Sequence, residues 1–270
     1  MLLLWREPHP IPLMRIDGKV VLITGASEGI GAACAAEFAA SGAKLALNAR
    51  NPEKLRASAP KDALLVPGDL TVDADRRSVV ERTLAHYGAI DILINNAGAG
   101  YYQPSWEMPM EDVRYLMELN FFAPLAMTQL VVPTMRARRS GMIVNVGSIA
   151  GKVPLPWMSI YTVSKYALGA LTDCQRMELK RDGIHTLVVC PGYVKTNFQK
   201  NVKYGKTPER VQKARRSAIT AETCARALRH GVERDARTVV TPRIGWFFVI
   251  AMRLFPSLVE SKMAEMNGTA

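Results

Sequence analysis

The chain has 270 residues, of which 49% are hydrophobic and 22% are charged, and its formal net charge is +11. This composition is ordinary for a globular protein with a substantial core, and the chain contains no low-complexity tract or internal repeat. The basic excess favours anionic ligands. The basic residues are dispersed, however, and no nucleic-acid-binding motif is present, so we expect no nucleic-acid partner.

The cysteine and histidine residues indicate neither a disulfide framework nor a metal site. The four cysteines are far apart and show no C-x-x-C spacing: Cys34, Cys174, Cys190 and Cys224. We interpret them as free thiols in a reducing compartment, which favours a cytoplasmic location. The four histidines are similarly scattered, so we expect no metal ion.

The N-terminal residues 1–15 differ from the rest of the chain. The first five are apolar but too few to cross a membrane, and prolines follow them. We interpret residues 1–15 as a flexible arm. The alternatives are a weak membrane contact or a translation start at Met14. The expected organisation is an arm, one domain over 16–242 and a tail over 243–270.

Strand and helix patterns alternate through the domain. Helical patterns cover about 32–41, 73–87, 110–138, 161–181 and 220–234, with Thr220 as a candidate N-cap. A polar loop over 197–218 is a candidate lid. This alternation favours a parallel sheet covered by helices on both faces. The predicted strands are Lys19–Thr24, Lys44–Asn48, Ala63–Val66, Asp91–Ile94, Met142–Val146, Ile184–Cys190 and Thr238–Thr241.

A glycine-rich turn follows the first strand, where residues 24–31 read Thr-Gly-Ala-Ser-Glu-Gly-Ile-Gly. Strand, glycine turn and helix form a dinucleotide-binding arrangement, in which the backbone approaches a pyrophosphate at the helix N-terminus. The glycine spacing is G-x-x-x-G-x-G rather than the common G-x-G-x-x-G. The alternative is a glycine-rich turn without a ligand.

Two polar residues follow the second and third strands. Arg50 stands where folds that prefer NAD usually place a carboxylate, and arginine can pair with a 2′-phosphate, so we favour NADP(H) over NAD(H). The alternative is a solvated arginine. Asp69 is expected either to accept a hydrogen bond from an adenine amino group or to cap the helix over 73–87.

Asparagines mark the next segments. The turn Asn95–Gly98 offers side-chain amides and close backbone approach; the alternative is a turn held by the local hydrogen bonds of asparagine. Asn120 lies within the apolar helix over 110–138, where its amide needs a partner. Pro124 is expected to kink this helix.

Ser148, Tyr161 and Lys165 form the central constellation. Ser148 follows a buried strand, and the four-residue spacing of Tyr161 and Lys165 places both side chains on one helix face. The serine hydroxyl can bind a carbonyl oxygen, the phenol can transfer a proton, and the ammonium can lower the phenol pKa. The alternative is a surface tyrosine and lysine.

Taken together, residues 19–241 strongly resemble the short-chain dehydrogenase/reductase family, and the G-x-x-x-G-x-G spacing resembles its compact single-domain branch. The resemblance implies a single-domain, Rossmann-like, doubly wound parallel α/β sheet of about seven strands with helices on both faces. Four motifs occur in the family's order: Thr-Gly-x-x-x-Gly-Ile-Gly at 24–31, Asn-Asn-Ala-Gly at 95–98, Ser148 with Tyr161 and Lys165, and Pro-Gly at 191–192.

The resemblance also implies residue roles. Tyr161 is the general acid/base, Lys165 lowers its pKa and holds the nicotinamide ribose, and Ser148 orients the carbonyl. Asn120 supports a water in a proton relay, and Thr196 contacts the nicotinamide carboxamide. The full set of implied cofactor contacts is Gly25, Ser27, Glu28, Gly29, Ile30, Gly31, Arg50, Asp69, Leu70, Asn96, Ala97, Gly98, Tyr161, Lys165, Pro191, Gly192, Val194 and Thr196.

The tail and the substrate pocket are less specific. An apolar run from Ile244 to Met252 is too short to span a bilayer. We expect it to cover the substrate pocket or a subunit interface; the alternatives are a peripheral membrane contact and a mobile segment. Aromatic and apolar residues flank the site and suggest a hydrophobic cavity: Tyr101, Tyr102, Trp157, Met158 and Tyr193.

The sequence therefore predicts an NADP(H)-dependent oxidoreductase that reduces a hydrophobic or lipid-like ketone. The alternatives are an NADP(H)-binding scaffold or sensor with little turnover and an NAD-dependent alcohol dehydrogenase. A homo-oligomer is expected by analogy with the family.

Overall fold

Short runs rich in valine, leucine and isoleucine form the strands of a parallel sheet in the computed structural model, which describes residues 14–199 and 218–267. Seven strands lie in the order β3-β2-β1-β4-β5-β6-β9, and β7 and β8 form a separate parallel pair. The strands are β1 Val20–Ile23, β2 Lys44–Leu47, β3 Leu64–Leu65, β4 Ile92–Asn95, β5 Gly141–Val146, β6 Ile184–Pro191, β7 Val194–Lys195, β8 Ile219–Thr220 and β9 Thr238–Thr241.

Helices cover both faces of this sheet, which confirms the predicted doubly wound α/β fold. Residues 1–13 of the expected arm over 1–15 and residues 200–217 of the candidate lid over 197–218 lie outside the described residues. The helices are α1 Gly29–Ala40, α2 Pro52–Ser58, α3 Asp73–Tyr87, α4 Met110–Met117, α5 Ala123–Arg138, α6 Ser159–Glu178, α7 Ala221–Glu233, α8 Gly245–Leu254 and α9 Pro256–Asn267.

Alternate residues of the strands feed two separate cores. Val21 and Ile23 of β1 pack with Phe38 of α1, whereas Leu22 packs with Met127 of α5 on the opposite face. Because both faces are covered, the strands are continuous apolar runs rather than alternating ones. The direction in which successive strands are added to the sheet reverses between β1 and β4, and this change opens a crevice at the carboxyl ends of the two strands.

The long helix predicted over 110–138 is interrupted just before Pro124, the residue at which a kink is expected. A π-helical segment, Glu118–Phe122, separates α4 from α5 and contains Asn120. Pro124 lies just after it, in the first turn of α5, where its missing N–H removes no helical bond that the turn needs. The wider π-helical turn therefore lies before the proline, within Glu118–Phe122.

The composite helix Met110–Arg138 is 29 residues long and apolar enough to cross a membrane by length and composition. In this fold its residues Met127, Val131 and Met135 are fully buried against the sheet. A helix in the core of a globular domain has the same length and apolar composition.

Other boundaries follow local signals. Helix α3 and strand β9 coincide with their predicted ranges, and the Thr220 hydroxyl accepts from the Thr223 N–H at the start of α7, as expected. Strand β3 has two residues rather than four. The prediction omitted α2, whose N-cap Asn51 accepts a hydrogen bond from the Lys54 N–H.

A buried polar ladder connects the central strands to α6. Asn95 Nδ2 of β4 donates to Asn145 Oδ1 of β5 at 2.9 Å, and Asn145 Nδ2 donates to Thr172 Oγ1 at 2.9 Å. Thr172 Oγ1 in turn donates to the Leu168 carbonyl at 2.7 Å. The ladder satisfies polar groups that burial would otherwise leave unpaired, so it fixes α6 relative to β5.

Replacing the middle of this ladder should destabilise the fold more than replacing its end. We expect Asn145→Ala to lower the free energy of unfolding by about 2–3 kcal/mol, because it removes one buried hydrogen bond from each of two partners, Asn95 and Thr172. Thr172→Val removes only the last member and should cost about 1 kcal/mol. Urea denaturation of both variants measures the difference. Equal losses would contradict a ladder centred on Asn145.

Candidate active site

The glycine-rich turn after β1 lies at the crevice between β1 and β4. Gly25 and Gly29 adopt φ of +64° and +58°, a left-handed conformation that glycine takes without strain. A Cβ atom at Gly31 would collide with the Gly25 carbonyl and the Asn96 side chain. Ser27, Glu28 and Ile30 complete the turn at the start of α1, where the positive end of the helix dipole favours an anion.

Asn96 supports this turn through distant partners, so the alternative of a locally bonded asparagine turn is wrong. Its Nδ2 donates to the Thr24 carbonyl at 2.9 Å and to the Gly25 carbonyl at 3.0 Å. The Thr24 hydroxyl accepts from the N–H groups of Asn96 and Ala97. Two loops 70 residues apart in sequence are thereby held as one unit.

Asp69 and Leu70 lie beyond the carboxyl end of β3. Asp69 Oδ1 accepts from the N–H and the hydroxyl of Thr71, at 2.9 and 2.8 Å. Val72 occupies the N-cap position of α3, so the expectation that Asp69 caps this helix is wrong. Its carboxylate instead shapes the loop at the edge of the crevice.

Arg76, which the sequence did not single out, ties this loop to the π-helical segment. Its Nη1 donates to the Leu70 carbonyl at 3.1 Å and to Glu118 Oε1 at 2.6 Å. Arg76 is buried, so the pair is shielded from solvent. The loop after β3 and the segment that carries Asn120 are therefore held at a fixed separation.

Arg50 lies at the carboxyl end of β2 and is exposed. Its Nη1 donates to the Tyr115 hydroxyl at 3.0 Å. This contact holds the guanidinium beside the crevice rather than leaving it fully solvated.

Ser148, Tyr161 and Lys165 converge where β5 meets α6. Lys165 Nζ donates to the carbonyl of Val146, the last residue of β5, at 3.0 Å, and lies 5.9 Å from the centroid of the Tyr161 ring. Ser148 Oγ accepts from the Ala150 N–H at 3.1 Å and also forms a hydrogen bond with the Tyr161 phenol. All three side chains are buried, so the surface-residue alternative is wrong.

Burial dominates the electrostatics of this group. It raises the pKa of Tyr161 to about 12, while the hydrogen bond with Ser148 acts in the lowering direction. Burial lowers the pKa of Lys165 to about 8, and nearby Cys190 acts in the opposite direction. Desolvation of the phenolate is the largest effect on the Tyr161 pKa in this geometry, so the pKa is raised overall.

Asn120 is fully buried, and both the oxygen and the nitrogen of its side-chain amide form hydrogen bonds. Its Oδ1 accepts from the Ala99 N–H at 2.9 Å, and its Nδ2 donates to the Ala99 carbonyl and to Ser164 Oγ. Ser164 Oγ donates to the Tyr161 carbonyl at 2.7 Å. A Cβ atom at Gly98 would lie 3.1 Å from Asn120 Oδ1. Asn120 thus links the turn after β4 to the helix of Tyr161.

The segment after β6 closes the other side of the crevice. The Gly192 N–H donates to the Thr241 carbonyl at 2.8 Å, which fixes the turn after Pro191. Val194 lies in β7, and Thr196 lies close to the turn before α1, 3.2 Å from a Cβ built at Gly29. The predicted contacts after β6 thus meet those after β1.

Apolar side chains surround Tyr161. They form a cluster with Tyr101, Met108, Leu116 and Ala150, to which Met158 and Phe198 add partly buried surface. Tyr101 donates its hydroxyl to Asp112 Oδ1 at 3.0 Å. Of the other predicted lining residues, Tyr102 is buried, Trp157 packs near Trp106 with ring centroids 6.1 Å apart, and Tyr193 is exposed.

Sequence reasoning missed Arg76, Ser164 and Cys190. Cys190 lies at the end of β6, burial raises its pKa to about 11, and Lys152 and Lys165 act in the lowering direction. The sequence signal for Arg76 was its spacing of three and four residues from Val79 and Val80, the apolar positions of α3. Among the residues that the structure describes, no group of three or more histidine, cysteine, aspartate or glutamate side chains could hold a metal ion.

The crevice fits a dinucleotide. The glycine turn leads into the N-terminus of α1, whose first N–H groups suit a pyrophosphate, and the buried Lys165 lies on α6 beyond β5. The predicted contacts lie in the segments that follow β1, β2, β3, β4 and β6 and in α6.

Comparisons with known proteins agree with this geometry. A family model described as short chain dehydrogenase matches residues 19–207. Dehydrogenase/reductase SDR family member 7B of Danio rerio is 35% identical over 265 residues, which span 93% of this chain and 86% of that protein.

Solved structures with the same fold contain either dinucleotide. A short chain dehydrogenase from Burkholderia cenocepacia in complex with NADP is 27% identical, with a TM-score of 0.79 over 93% of this chain and 99% of that one. A short chain dehydrogenase/reductase from Burkholderia phymatum in complex with NAD is 25% identical, with a TM-score of 0.81 over 92% and 97%. The chain therefore belongs to the short-chain dehydrogenase/reductase family and is an NAD(P)-dependent oxidoreductase that acts on CH–OH groups.

Proposed function

We propose that the protein is an NADP(H)-dependent reductase of hydrophobic ketones. The observation that carries this proposal is the buried Tyr161 phenol, which faces an apolar cluster and lies between Ser148 and Lys165. Such a site can protonate a developing alkoxide and exclude water. It is a poor fit for a polar sugar, because apolar side chains dominate the cluster and few groups would bind the sugar hydroxyls.

In the proposed mechanism, the cofactor supplies or accepts the hydride when bound, and the protein's own residues manage the carbonyl oxygen. The Ser148 hydroxyl, which bonds to Tyr161 in this structure, donates its hydrogen bond to that oxygen when the substrate is present and orients it. Tyr161, whose pKa of about 12 keeps it protonated at neutral pH, delivers its proton as charge develops. The Lys165 ammonium stabilises the phenolate that remains.

Asn120 and Ser164 act as positioning residues in this mechanism. Together they join the turn after β4 to the backbone of Tyr161. Their role is to hold the phenol at a constant distance from the crevice. In the family the corresponding asparagine supports a bound water, and we propose the same for Asn120.

The preference for NADP(H) is supported by Arg50. It replaces the carboxylate that would hold ribose hydroxyls, and its contact with Tyr115 keeps the guanidinium beside the crevice. Arginine can form two charge-assisted hydrogen bonds with a 2′-phosphate. Because related structures contain NADP or NAD, the argument rests on this residue and not on the neighbours.

The cytoplasmic location, the homo-oligomer and the division into an arm, a domain over 16–242 and a tail over 243–270 remain predictions from sequence. The free cysteines of the described residues support the reducing compartment.

Tyr161→Phe should separate an enzyme from a cofactor-binding scaffold. We expect the reduction rate to fall about a thousandfold, because the ring remains but the transferable proton is lost. Tyr166→Phe, on the same helix and 41% exposed, is the matched control and should retain activity. The measurement is NADPH consumption with a panel of hydrophobic ketones, and fluorescence of bound NADPH should be unchanged in both variants. Equal turnover in the two variants would contradict the role of Tyr161.

Arg50→Ala should weaken NADPH binding about tenfold to a hundredfold, because a charge-assisted pair with phosphate is lost. NADH binding should be nearly unchanged. Arg56→Ala, an exposed arginine of α2, controls for the loss of one positive charge. Titrations that follow nicotinamide fluorescence measure both constants. Equal loss for both cofactors, or tighter NADH binding by the wild type, would overturn the NADP(H) preference.

The pH profile should report Lys165. Its pKa of about 8 lies below the ordinary 10.5, so the ammonium is present below pH 8 and is lost as the pH rises through 8. Tyr161 keeps its proton throughout this range, since its pKa is about 12. We therefore expect kcat/KM for ketone reduction to be level below pH 8 and to decline above it. A profile that stays level to pH 10 would show that the cation is not required.

A further inference from the structure

The first tail helix, α8, is apolar on two opposite faces. Its inner face carries Val249 and Met252, which are buried against Val153. Its outer face carries Phe247, Ile250 and Leu254, which are 76%, 52% and 66% exposed; we call these three the outer stripe. Their spacing of three and four residues places them in one line along the helix.

The outer stripe continues into the following turn, where Phe255 and Leu258 are 61% and 70% exposed. The described part of the tail, residues 245–267, forms two helices and presents apolar side chains to solvent. An exposed patch of this kind marks an interaction site.

A basic pocket adjoins the outer stripe. It encloses about 470 Å³ and is lined by Lys152, Asp173, Arg237, Thr238, Trp246 and Arg253. Asp173 accepts from Arg237 Nε at 2.9 Å, so its charge is already neutralised. Within residues 14–199 and 218–267, neither Lys152 nor Arg253 takes part in an ion pair. The pocket therefore has two cations available for an anion.

Trp246 and Arg253 connect the two features. They are seven residues apart, or two helical turns, so both lie along one side of α8 between its inner and outer faces. An apolar stripe bordered by an indole and a guanidinium is the pattern of a helix that lies in a membrane interface. The apolar side chains enter the acyl region, and the basic ones meet lipid phosphates.

We propose that α8 seats the protein on an anionic phospholipid surface, with the outer stripe in the bilayer and a lipid phosphate in the basic pocket. The helix has ten residues, about 15 Å, which is too short to span a bilayer but long enough to lie on one. The net charge of +11 adds attraction to such a surface.

Charge also disfavours a second copy as the occupant. A two-fold contact on this face would place the outer stripe against itself and would bring Arg253 and Arg243 close to their own copies. An anionic lipid surface neutralises the same cations instead.

In this membrane-bound orientation, the bilayer also lies close to the candidate active site. Val153, against which α8 packs, lies five residues after Ser148, and Lys152 of the basic pocket precedes it. Substrate delivery from the bilayer rests on the proposed function. Lipid binding does not, because it is measured without turnover, so either can fail alone.

Vesicle co-sedimentation of the full-length protein tests the proposal. We expect binding to vesicles that contain phosphatidylglycerol and phosphatidylcholine, weaker binding to phosphatidylcholine alone, and loss of this difference at high salt because ions screen the basic pocket. Absence of binding to the anionic vesicles would overturn the proposal.

Two pairs of variants locate the binding surface. Leu254→Asp should weaken vesicle binding about tenfold by placing a charge in the outer stripe, whereas Met177→Asp, 72% exposed on α6, should not. Arg253→Glu should remove the preference for anionic vesicles, whereas Arg56→Glu, with the same change of net charge, should retain most of it. Thermal melts and NADPH binding verify that all four variants fold.

Equal losses within either pair would show that binding is nonspecific and would overturn the assignment to α8. Sedimentation equilibrium tests the alternative that a second copy of the chain occupies the outer stripe. If Leu254→Asp converts a dimer to a monomer while the wild type ignores vesicles, the outer stripe is a contact between copies and the proposal is wrong.

Discussion

The hydrogen bond from Lys165 Nζ to the Val146 carbonyl is the constraint on which the site depends. It attaches α6 to the last residue of β5 in a place without solvent, where an unpaired ammonium or carbonyl would be costly. Because Lys165 is fixed there, the residue one turn earlier, Tyr161, must face the loop that follows β5. Ser148 begins that loop, so the position of the phenol relative to the hydroxyl follows from one buried contact.

Two further tethers make the crevice a rigid unit. Asn96 bonds to the carbonyls of the turn after β1, and Arg76 bonds to both Leu70 and Glu118. The first tether joins the turns after β1 and β4. The second joins the loop after β3 to the π-helical segment. Since Asn120 is part of that segment, the region proposed for the adenine and the region of proton transfer share one framework.

The burial that makes this framework rigid also sets its chemistry. Desolvation raises the pKa of the phenol and lowers that of the ammonium, so both groups are shifted toward their neutral forms. A protonated phenol suits proton donation, which is the direction of ketone reduction. In the tail, burial is only partial: α8 buries one apolar face against the domain and leaves a second apolar face without a partner in the described chain.

The sequence by itself determined the fold class, because strand and helix periodicities alternate and glycine, asparagine and proline mark the turns between them. It also placed Tyr161 and Lys165 on one helix face, since a four-residue helical spacing is a local property, whereas their position relative to Ser148 follows from the tertiary contact of Lys165 with Val146. Even the omitted helix α2 had a local signal, as Asn51 and Pro52 form a good helix start.

Only the tertiary structure decided which partners these residues have. Asn96 bonds to residues about 70 positions away, and Asp69 supports its own loop instead of a helix. No periodicity encodes such contacts, because they depend on which strand ends become neighbours. The direction of the Tyr161 pKa shift and the exposure of the outer stripe were likewise undetermined by sequence, since both depend on how much water the folded chain excludes.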